Sequence, residues 1–397
     1  MNLSGRRVVL GVSGGIAAYK VCTLARRLTE AGAAVDVVLT AAAAEFIRPL
    51  TFEALTKRPV ATSLWERGRA LAHIDLARDP DLIVVAPATA HLLARAAQGL
   101  ADDLLTSLLL AATTPVLVVP GMNDEMFAHA ATQQNLQTLR ERGWTVVGPA
   151  IGPLAEGPSD RPGRMVEPEE ILAHVERALR APGSPLSGRN VLVTAGATRE
   201  HLDPVRVITN PASGRQGYAL AEAAFARGAE VTLVSGPSTL LTPTGVELVR
   251  VETTEQLLSA VERLLPQADV LVMAVAPADF RPTEPGAAKR PRSEGPLSVK
   301  LEPTPDVLER TLAKRRSGCV AVGFALEIGN GIERARQKLE AKQLDFIVLN
   351  RADEPGSGFE QETNRVTLVS PDDARELPMQ PKREVAEQIL DEVERRL

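Results

Sequence analysis

LSGRRVVLGVSGG (residues 3–15) returns as LSGRNVLVTAGAT (residues 186–198), and this repetition decides the fold. Each copy opens on a polar Gly-containing turn, runs through a Val/Leu-rich stretch and ends on a second Gly-containing turn. The match resumes further on, where AGAAVDVVLT (31–40) pairs with RGAEVTLVSG (227–236). Between them lie Ala/Leu-rich amphipathic segments closed by Gly32 and Gly228, the residue type that best adopts the left-handed turn ending a helix. Strand, helix and strand are therefore written twice. Further apolar runs, DLIVVAPA (81–88), PVLVVP (115–120), DVLVMAVAPA (269–278), CVAVGFA (319–325) and DFIVLN (345–350), alternate with helical segments, as expected of parallel strands covered on both faces. The predicted fold class is α/β, with two doubly wound Rossmann-like domains.

Length and composition agree with two domains. A chain of 397 residues exceeds what one hydrophobic core ordinarily holds. The expected division is residues 1–180, a linker APGSPLSG at 181–188, and residues 189–397. The net charge of −5 offers no broad attraction to phosphate backbones or anionic lipid, so nucleic-acid and membrane partners are disfavoured. No apolar run approaches ~18 residues and the start has no apolar stretch of signal length, so a cytoplasmic location is expected. Cys22 and Cys319, one in each half, read as small core residues, and the five His show no ligand spacing.

The two copies differ at one turn. Gly5 to Gly32 spans 27 residues and Gly188 to Gly228 spans 40, so the second copy carries 13 more. They fall within TREHLDPVRVITNPASGRQG (198–217), beyond a strand's carboxyl end, where open α/β sheets bind ligands. An enlarged binding site and a solvated surface loop are both compatible with that. In the first copy, GVSGGIAAYK (11–20) offers backbone N–H groups of Ser13, Gly14 and Gly15 at a helix start, suited to a phosphate. It lacks the full GxGxxG pattern, and tight packing alone also produces such turns. APATAHLLARAAQGLADDLLT (86–106) and VVPGMN (118–123) bring two more strand ends to the same edge, which suggests a mononucleotide site without naming the nucleotide.

In order along the chain, GVSGGIAAYK, HIDL (73–76), APATA…ADDLL, PGMN and GRM (163–165) are followed by TREHLDPVR, ITNPASGRQG, AVAPADF (274–280), GFALE (323–327) and KLEAKQLDFIVLN (338–350). These motifs resemble the family of bifunctional coenzyme A biosynthesis proteins, and the likeness covers nearly the whole chain. It implies an N-terminal flavodoxin-like flavoprotein fold with FMN-dependent phosphopantothenoylcysteine decarboxylase activity. It also implies a C-terminal nucleotide-binding ligase fold with CTP-dependent phosphopantothenate–cysteine ligase activity.

A cysteinyl α-carboxylate leaves poorly because the carbanion has no electron sink. The implied route passes two electrons from the thiol-bearing carbon to FMN, releases CO₂ and then returns the electrons. By resemblance, His73 is the catalytic histidine and Asn123 holds the substrate carboxylate, while Ser13, Gly14, Gly15, Thr40, Pro87, Ala88 and Thr89 contact FMN. Without the resemblance, His73 reads as a structural histidine and Asn123 as a turn residue before a helix. His91 stands where relatives often carry Asn.

For the ligase half, the resemblance implies attack of 4′-phosphopantothenate on CTP, giving an acyl-cytidylate that the amine of L-cysteine resolves. Asn210 matches the residue that stabilises this intermediate and Lys289 the lysine that forms it. Ala274, Asp279, Asp306, Phe324, Lys338 and Lys342 match CTP contacts, and Mg²⁺ is expected near the phosphates with Asp279 as a candidate neighbour. Lys338 and Lys342 stand i,i+4 on the expected helix ARQKLEAKQL (335–344), placing both ammonium groups toward one triphosphate. KRPR (289–292) replaces the family's K-I-K-K, so Arg292 keeps a charge while Pro291 alters the backbone. The family also implies a homo-oligomer, with decarboxylase trimers joined by ligase dimers up to a dodecamer, and His and Asn reaching neighbouring chains.

LAEGPSDRPGRM (154–165) reads alone as a hinge, with two Gly and two Pro. The family places a flexible lid here, ending in Gly163, Arg164 and Met165 and carrying near its start a Cys that protonates the reduced intermediate. Glu156 occupies that position. A carboxyl titrates near ~4.3 against ~8.5 for a thiol, so the two are not interchangeable donors. Decarboxylation is expected to persist, with the proton coming from water or a group brought in by the lid. Two alternatives are a nicotinamide-dependent oxidoreductase, weakened by the missing GxGxxG, and a flavin-binding regulatory subunit, opposed by Asn210, Lys289 and the lysine pair.

Overall fold

The computed structural model describes residues 3–65, 71–289, 291–327, 331–351 and 361–397. It divides into two compact units, Met1–Leu179 and Arg180–Leu397.

The first unit is built on five strands, β1 (Arg7–Val12), β2 (Ala34–Leu39), β3 (Leu82–Ala88), β4 (Val116–Pro120) and β5 (Thr145–Val146), in the spatial order β2-β1-β3-β4-β5. All pairings are parallel, which is the flavodoxin-like order with its switch point between β1 and β3. Alternation along each strand feeds two apolar layers. Val8, Leu10 and Val12 join Leu24, Leu28 and Phe52 on one side, while Val9, Ile83 and Val85 join Leu92, Leu105 and Leu136 on the other. Every residue of β3 is buried, which is why it reads as an unbroken apolar run.

The second unit carries β6 (Asn190–Ala195), β7 (Glu230–Ser235), β8 (Val246–Arg250), β9 (Val270–Met273), β10 (Val320–Glu327), β11 (Phe346–Arg351), β12 (Val366–Val369) and β13 (Ala374–Glu376). Their order is β8-β7-β6-β9-β10-β11-β12-β13. The first six are parallel in the 3-2-1-4-5-6 arrangement of a Rossmann sheet. The parallel pattern stops at the edge, because β12 runs antiparallel to β11 and β13 antiparallel to β12. A tight turn joins β12 to β13, with Ser370 N–H donating to the Asp373 carbonyl at 2.9 Å, too short a link for a parallel crossover.

The repeated sequences fold alike in detail. Gly32 and Gly228 both sit at φ +92°. Arg7 N–H donates to Asp81 Oδ2 and Asn190 N–H to Asp269 Oδ2, each at 2.8 Å, so an aspartate opening the neighbouring strand fixes the same register twice.

Residues 181–188 depart from the expected linker, since they pack into the second unit. Leu186 is fully buried, Ser184 Oγ donates to Glu394 Oε1 at 2.6 Å, and Gly188 N–H donates to the Gly228 carbonyl at 3.0 Å. Gly and Pro here shape the turns of a packed strap that follows the helix end. The strap lies beside an ion cluster in which buried Arg227 pairs with Glu387 (2.7 Å), Asp391 (2.7 Å) and Glu394 (2.9 Å), and Arg180 pairs with Glu387 as well (2.7 Å). Burial alone pushes the Glu387 carboxyl up, but hydrogen bonds from Arg180 and Arg227 outweigh it and hold the group down at about 2.

Candidate active sites

The carboxyl ends of β1 to β4 open onto a cavity of about 870 Å³, within the usual range for small-molecule sites. Ser13, Gly14 and Gly15 form one wall. A side chain at Gly14 would place Cβ 2.4 Å from Ala42 Cβ, so only glycine lets the turn approach the segment after β2. Ser13 Oγ donates to the Pro87 carbonyl (2.7 Å) and accepts from Thr89 N–H (3.1 Å), joining the ends of β1 and β3 across the switch point. Thr40 and Thr89 cap the helices that follow β2 and β3 by accepting from Ala43 and Leu92 N–H. Pro87 and Ala88 lie behind this wall at the end of β3.

Asn123 does two things at once. Its Oδ1 accepts from Glu125 (2.9 Å) and Met126 (3.3 Å) N–H, capping the short helix Asp124–Ala128, as the turn-residue reading expects. Its Nδ2 donates to Glu156 Oε1, and both side chains line the cavity.

The 154–165 stretch forms a hydrogen-bonded flap beside the cavity. Leu154 and Gly157 exchange backbone hydrogen bonds at 2.8 and 3.2 Å, leaving Ala155 and Glu156 at the tip of a tight turn. Ser159 Oγ donates to Asp124 Oδ2 (2.6 Å), which contributes most to holding the Asp124 carboxyl below its usual range. Arg161 pairs with Glu125 at 2.5 Å. At the far end the Met122 N–H donates to the Gly163 carbonyl, and a Cβ on Gly163 would fall 2.8 Å from the Met122 carbonyl oxygen, so glycine is required by proximity. Arg164 and Met165 also line the cavity.

His73 is not among the lining residues. It sits half-buried on helix Ala72–Arg78, and its buried Nδ1 has no hydrogen-bond partner among the described residues. Lys20 and Arg95, not among the expected site residues, also line the cavity. Buried Lys20 donates to the Met165 carbonyl (3.2 Å) and Glu167 (2.9 Å), tying the first helix to the end of the flap. Its signal was present, since Lys20 ends the GVSGGIAAYK motif one turn into the helix.

In the second unit, the extra residues after β6 form an antiparallel hairpin, Arg199–His201 with Val207–Thr209. Asn210 follows it, and its Nδ2 donates to the carbonyls of Ala276 (3.4 Å) and Pro277 (2.9 Å). Thr198 Oγ1 accepts from Ala278 N–H (2.8 Å), and Thr304 N–H donates to the Asp279 carbonyl (2.9 Å). These bonds gather Asn210, Ala274, Asp279 and the chain leading to Asp306 beyond the ends of β6 and β9. Asp279 is exposed and lies past β9, which ends earlier than the apolar run suggests, at Met273.

The glycines here form a fingerprint that the linear sequence hides. Gly196 ends β6 and Gly214, at φ +81°, precedes helix Arg215–Ala226, with a Cβ on Gly214 falling 3.1 Å from Gly196 N. Gly217 packs its helix on β6, where a Cβ would meet Ala195 Cβ at 2.5 Å. Turn, close approach and helix–strand packing are the three tasks of GxGxxG, divided here by the inserted hairpin.

The two lysines reach different partners. Lys338 Nζ donates to Glu327 Oε1 and Lys342 Nζ pairs with Asp306 Oδ2, each at 2.7 Å. Lys342 caps helix Ile332–Ala341 and so stands just beyond it, which corrects the expected placement of both lysines within one helix. The Lys338 hydrogen bond is the main influence holding the Glu327 carboxyl below its usual range. Phe324 is half-buried on β10, three residues before Glu327. Lys289 is exposed on the loop between Phe280–Pro282 and Leu301–Pro303, and Arg290 beside it is outside the described residues.

Comparison with known proteins accounts for both units. The Flavoprotein family matches residues 1–180, and the family described as DNA/pantothenate metabolism flavoprotein C-terminal domain matches residues 186–397. The coenzyme A biosynthesis bifunctional protein CoaBC of Vibrio vulnificus is 42% identical, covering 99% of this chain and 98% of its own. Its counterpart in Mycobacterium tuberculosis is 48% identical over 92% of this chain and 91% of its own. A crystal structure of the C-terminal domain of a CoaBC protein is 38% identical, covering 54% of this chain and 97% of that one, with a TM-score of 0.46. Over its full length, then, the chain belongs to the family of coenzyme A biosynthesis bifunctional proteins, a flavoprotein half followed by a pantothenate-metabolism half.

Proposed function

We propose that this enzyme makes 4′-phosphopantetheine in two steps: the second unit joins 4′-phosphopantothenate to L-cysteine at the expense of CTP, and the first decarboxylates the product with FMN. The observation that carries the reading is the cavity at the β1/β3 switch point, whose lining includes Ser13, Gly14, Gly15, Thr40, Thr89 and Asn123. The residues fit FMN, because the cavity has the required size and its Gly14 wall admits no side chain. Ser13 to Gly15 would hold the phosphate and Thr40 and Thr89 the remainder, with Pro87 and Ala88 backing the wall rather than lining it. FMN when bound supplies a reversible two-electron sink.

Asn123, its Oδ1 already committed to the helix cap, presents only N–H donors and so suits a carboxylate. His73 serves the cavity of a neighbouring copy in a trimer, a role supported by its place outside the described lining of its own chain's cavity and by a buried Nδ1 with no partner among the described residues. Ligase domains pair such trimers, giving up to a dodecamer, which light scattering of the intact protein would test. In the second unit Asn210 stabilises the acyl-cytidylate, Lys289 serves its formation, and Ala274, Asp279, Asp306, Phe324, Lys338 and Lys342 contact CTP. A triphosphate then replaces Glu327 and Asp306 as partner of the two lysines. Mg²⁺ arrives mainly on the phosphates, as is usual for this ion. A cytoplasmic location suits these substrates, and no helix among the described residues is long and apolar enough to cross a membrane.

Purified protein should show the visible absorbance of flavin. With CTP, cysteine and 4′-phosphopantothenate it should release pyrophosphate and then CO₂. Absence of pyrophosphate would overturn the ligase assignment, and pyrophosphate without CO₂ the decarboxylase assignment.

A further inference from the structure

We infer that Glu156 is a built-in carboxylate that occupies the substrate's place on Asn123 and must be displaced by it, so that only a ligand bearing a carboxylate releases the flap tip. The inference rests on the reading of Asn123 as the group that holds the substrate carboxylate.

Three observations lead to it. The Asn123 side chain has its oxygen fixed by Glu125 and Met126 N–H, so only its Nδ2 faces the cavity, and that nitrogen donates to Glu156 Oε1. The partner is thus the same chemical group that the substrate would bring. Next, the turn delivers Glu156 with little freedom: the Leu154–Gly157 bonds close it, and Gly157 takes φ +139°, a conformation most side chains avoid. Finally, the flap is clasped to helix Asp124–Ala128 beside its cap, through Ser159 to Asp124 and Arg161 to Glu125. Both clasp partners follow Asn123 directly in sequence, so the clasp keeps the base of the flap beside Asn123 while Glu156 at the tip exchanges.

The consequence for turnover follows from competition. While Glu156 holds Nδ2, a carboxylate ligand sees only the fraction of enzyme in which the bond is open, and its apparent affinity falls by that fraction. A substrate carboxylate takes over Nδ2 and releases the flap tip. Once CO₂ has left, the product has no carboxylate to hold Nδ2. Glu156 then returns to it and restores the latch. A hydrogen bond of this kind has a net strength of about 0.5–1.5 kcal/mol, or roughly 2–10-fold in affinity.

The test uses the full-length flavin-loaded enzyme, with perturbation of the visible flavin band reporting ligand binding to the first unit alone. Two probes suffice: the serine analogue of the substrate, 4′-phosphopantothenoylserine, which keeps the carboxylate but has no thiol to oxidise, and 4′-phosphopantetheine, which has no carboxylate. Glu156→Ala should tighten the serine analogue roughly 2–10-fold and leave 4′-phosphopantetheine within about twofold, with Glu156→Gln between the two for the analogue. Asn123→Ala should weaken the analogue and abolish the gain in the double variant. An unchanged or weakened analogue in Glu156→Ala, with Asn123→Ala still weakening it, overturns the latch and leaves the role of Asn123 standing. If Asn123→Ala also leaves the analogue unchanged, the reading of Asn123 fails and the latch with it. Because Glu156 is exposed and its flavin content can be checked by absorbance, misfolding is distinguishable from either outcome.

Discussion

The two copies of the strand–helix–strand unit begin with nearly the same residues and end in opposite situations. In the first, the turn at Ser13 to Gly15 opens directly onto a cavity of about 870 Å³. In the second, 13 further residues fold into a hairpin whose Thr198 and Asn210 are bonded to the chain after β9, and the nearby lysines are already matched by Glu327 and Asp306. The helix ends differ too: Ala31 precedes Gly32, whereas buried Arg227 precedes Gly228 and binds three carboxylates of the C-terminal helix Lys382–Glu394. One frame thus yields a preformed pocket or a covered, ion-paired edge, according to the length of one turn and the charge of one residue.

The largest expected effect breaks the comparison at Arg227. Arg227→Ala leaves three carboxylates without their shared cation and should destabilise the second unit by about 3–5 kcal/mol, the usual cost of removing one partner of a buried pair. Thermal unfolding should show the second unit melting early while flavin release from the first is unchanged. Simultaneous loss of both would mean that the units do not unfold independently.

Gly14→Val tests the open copy. Its side chain would collide with Ala42, and an overpacking cost of about 1–3 kcal/mol should lower flavin affinity roughly tenfold or more. Pyrophosphate release should stay within about twofold of wild type. Full flavin content in this variant would show that the turn is not the cradle.

Lys338→Ala probes the covered copy. Losing one charge-assisted contact should raise KM for CTP roughly tenfold, about 1.4 kcal/mol, with KM for cysteine unaffected. An unchanged KM would leave Lys338 as no more than the partner of Glu327.

The smallest effect concerns acid. Glu387 is held at about 2 in the fold against 4.5 for the free group, so its ion pairs stabilise fully above pH 4.5 and progressively less as pH falls toward about 2. The difference in Tm between wild type and Glu387→Gln should therefore be constant near neutrality and narrow below pH 4.5. A constant difference throughout would place the origin of the effect outside the carboxylate's charge.

Most of the frame was legible in the sequence because it rests on local rules. Valine-rich runs such as LIVVAPA need two covering faces, and Gly32 and Gly228 end their helices wherever they occur. The candidate residues Ser13, Gly14, Gly15, Thr40, Thr89 and Asn123 were legible through motifs, and the fold brings them to one cavity. Other features were hidden because they depend on residues far apart in sequence. APGSPLSG has the composition of a spacer, yet Leu186 is buried and Ser184 is bonded to Glu394, 210 positions away. The lysine pair has helical spacing, but the helix ends at Ala341 and sends Lys342 to Asp306.

By itself the sequence determined two α/β units, their repeated start, the family, and the departure at Glu156, since periodicity, turn chemistry and motif order are properties of neighbouring residues. Only the tertiary structure decided that Glu156 meets Asn123, that Gly196, Gly214 and Gly217 meet at one strand–helix junction, that His73 lies outside the described lining of its own cavity, and that 181–188 is a packed strap. Each of these depends on which polar groups find partners once distant segments are brought together, and that is settled by packing and hydrogen-bond satisfaction across the whole fold.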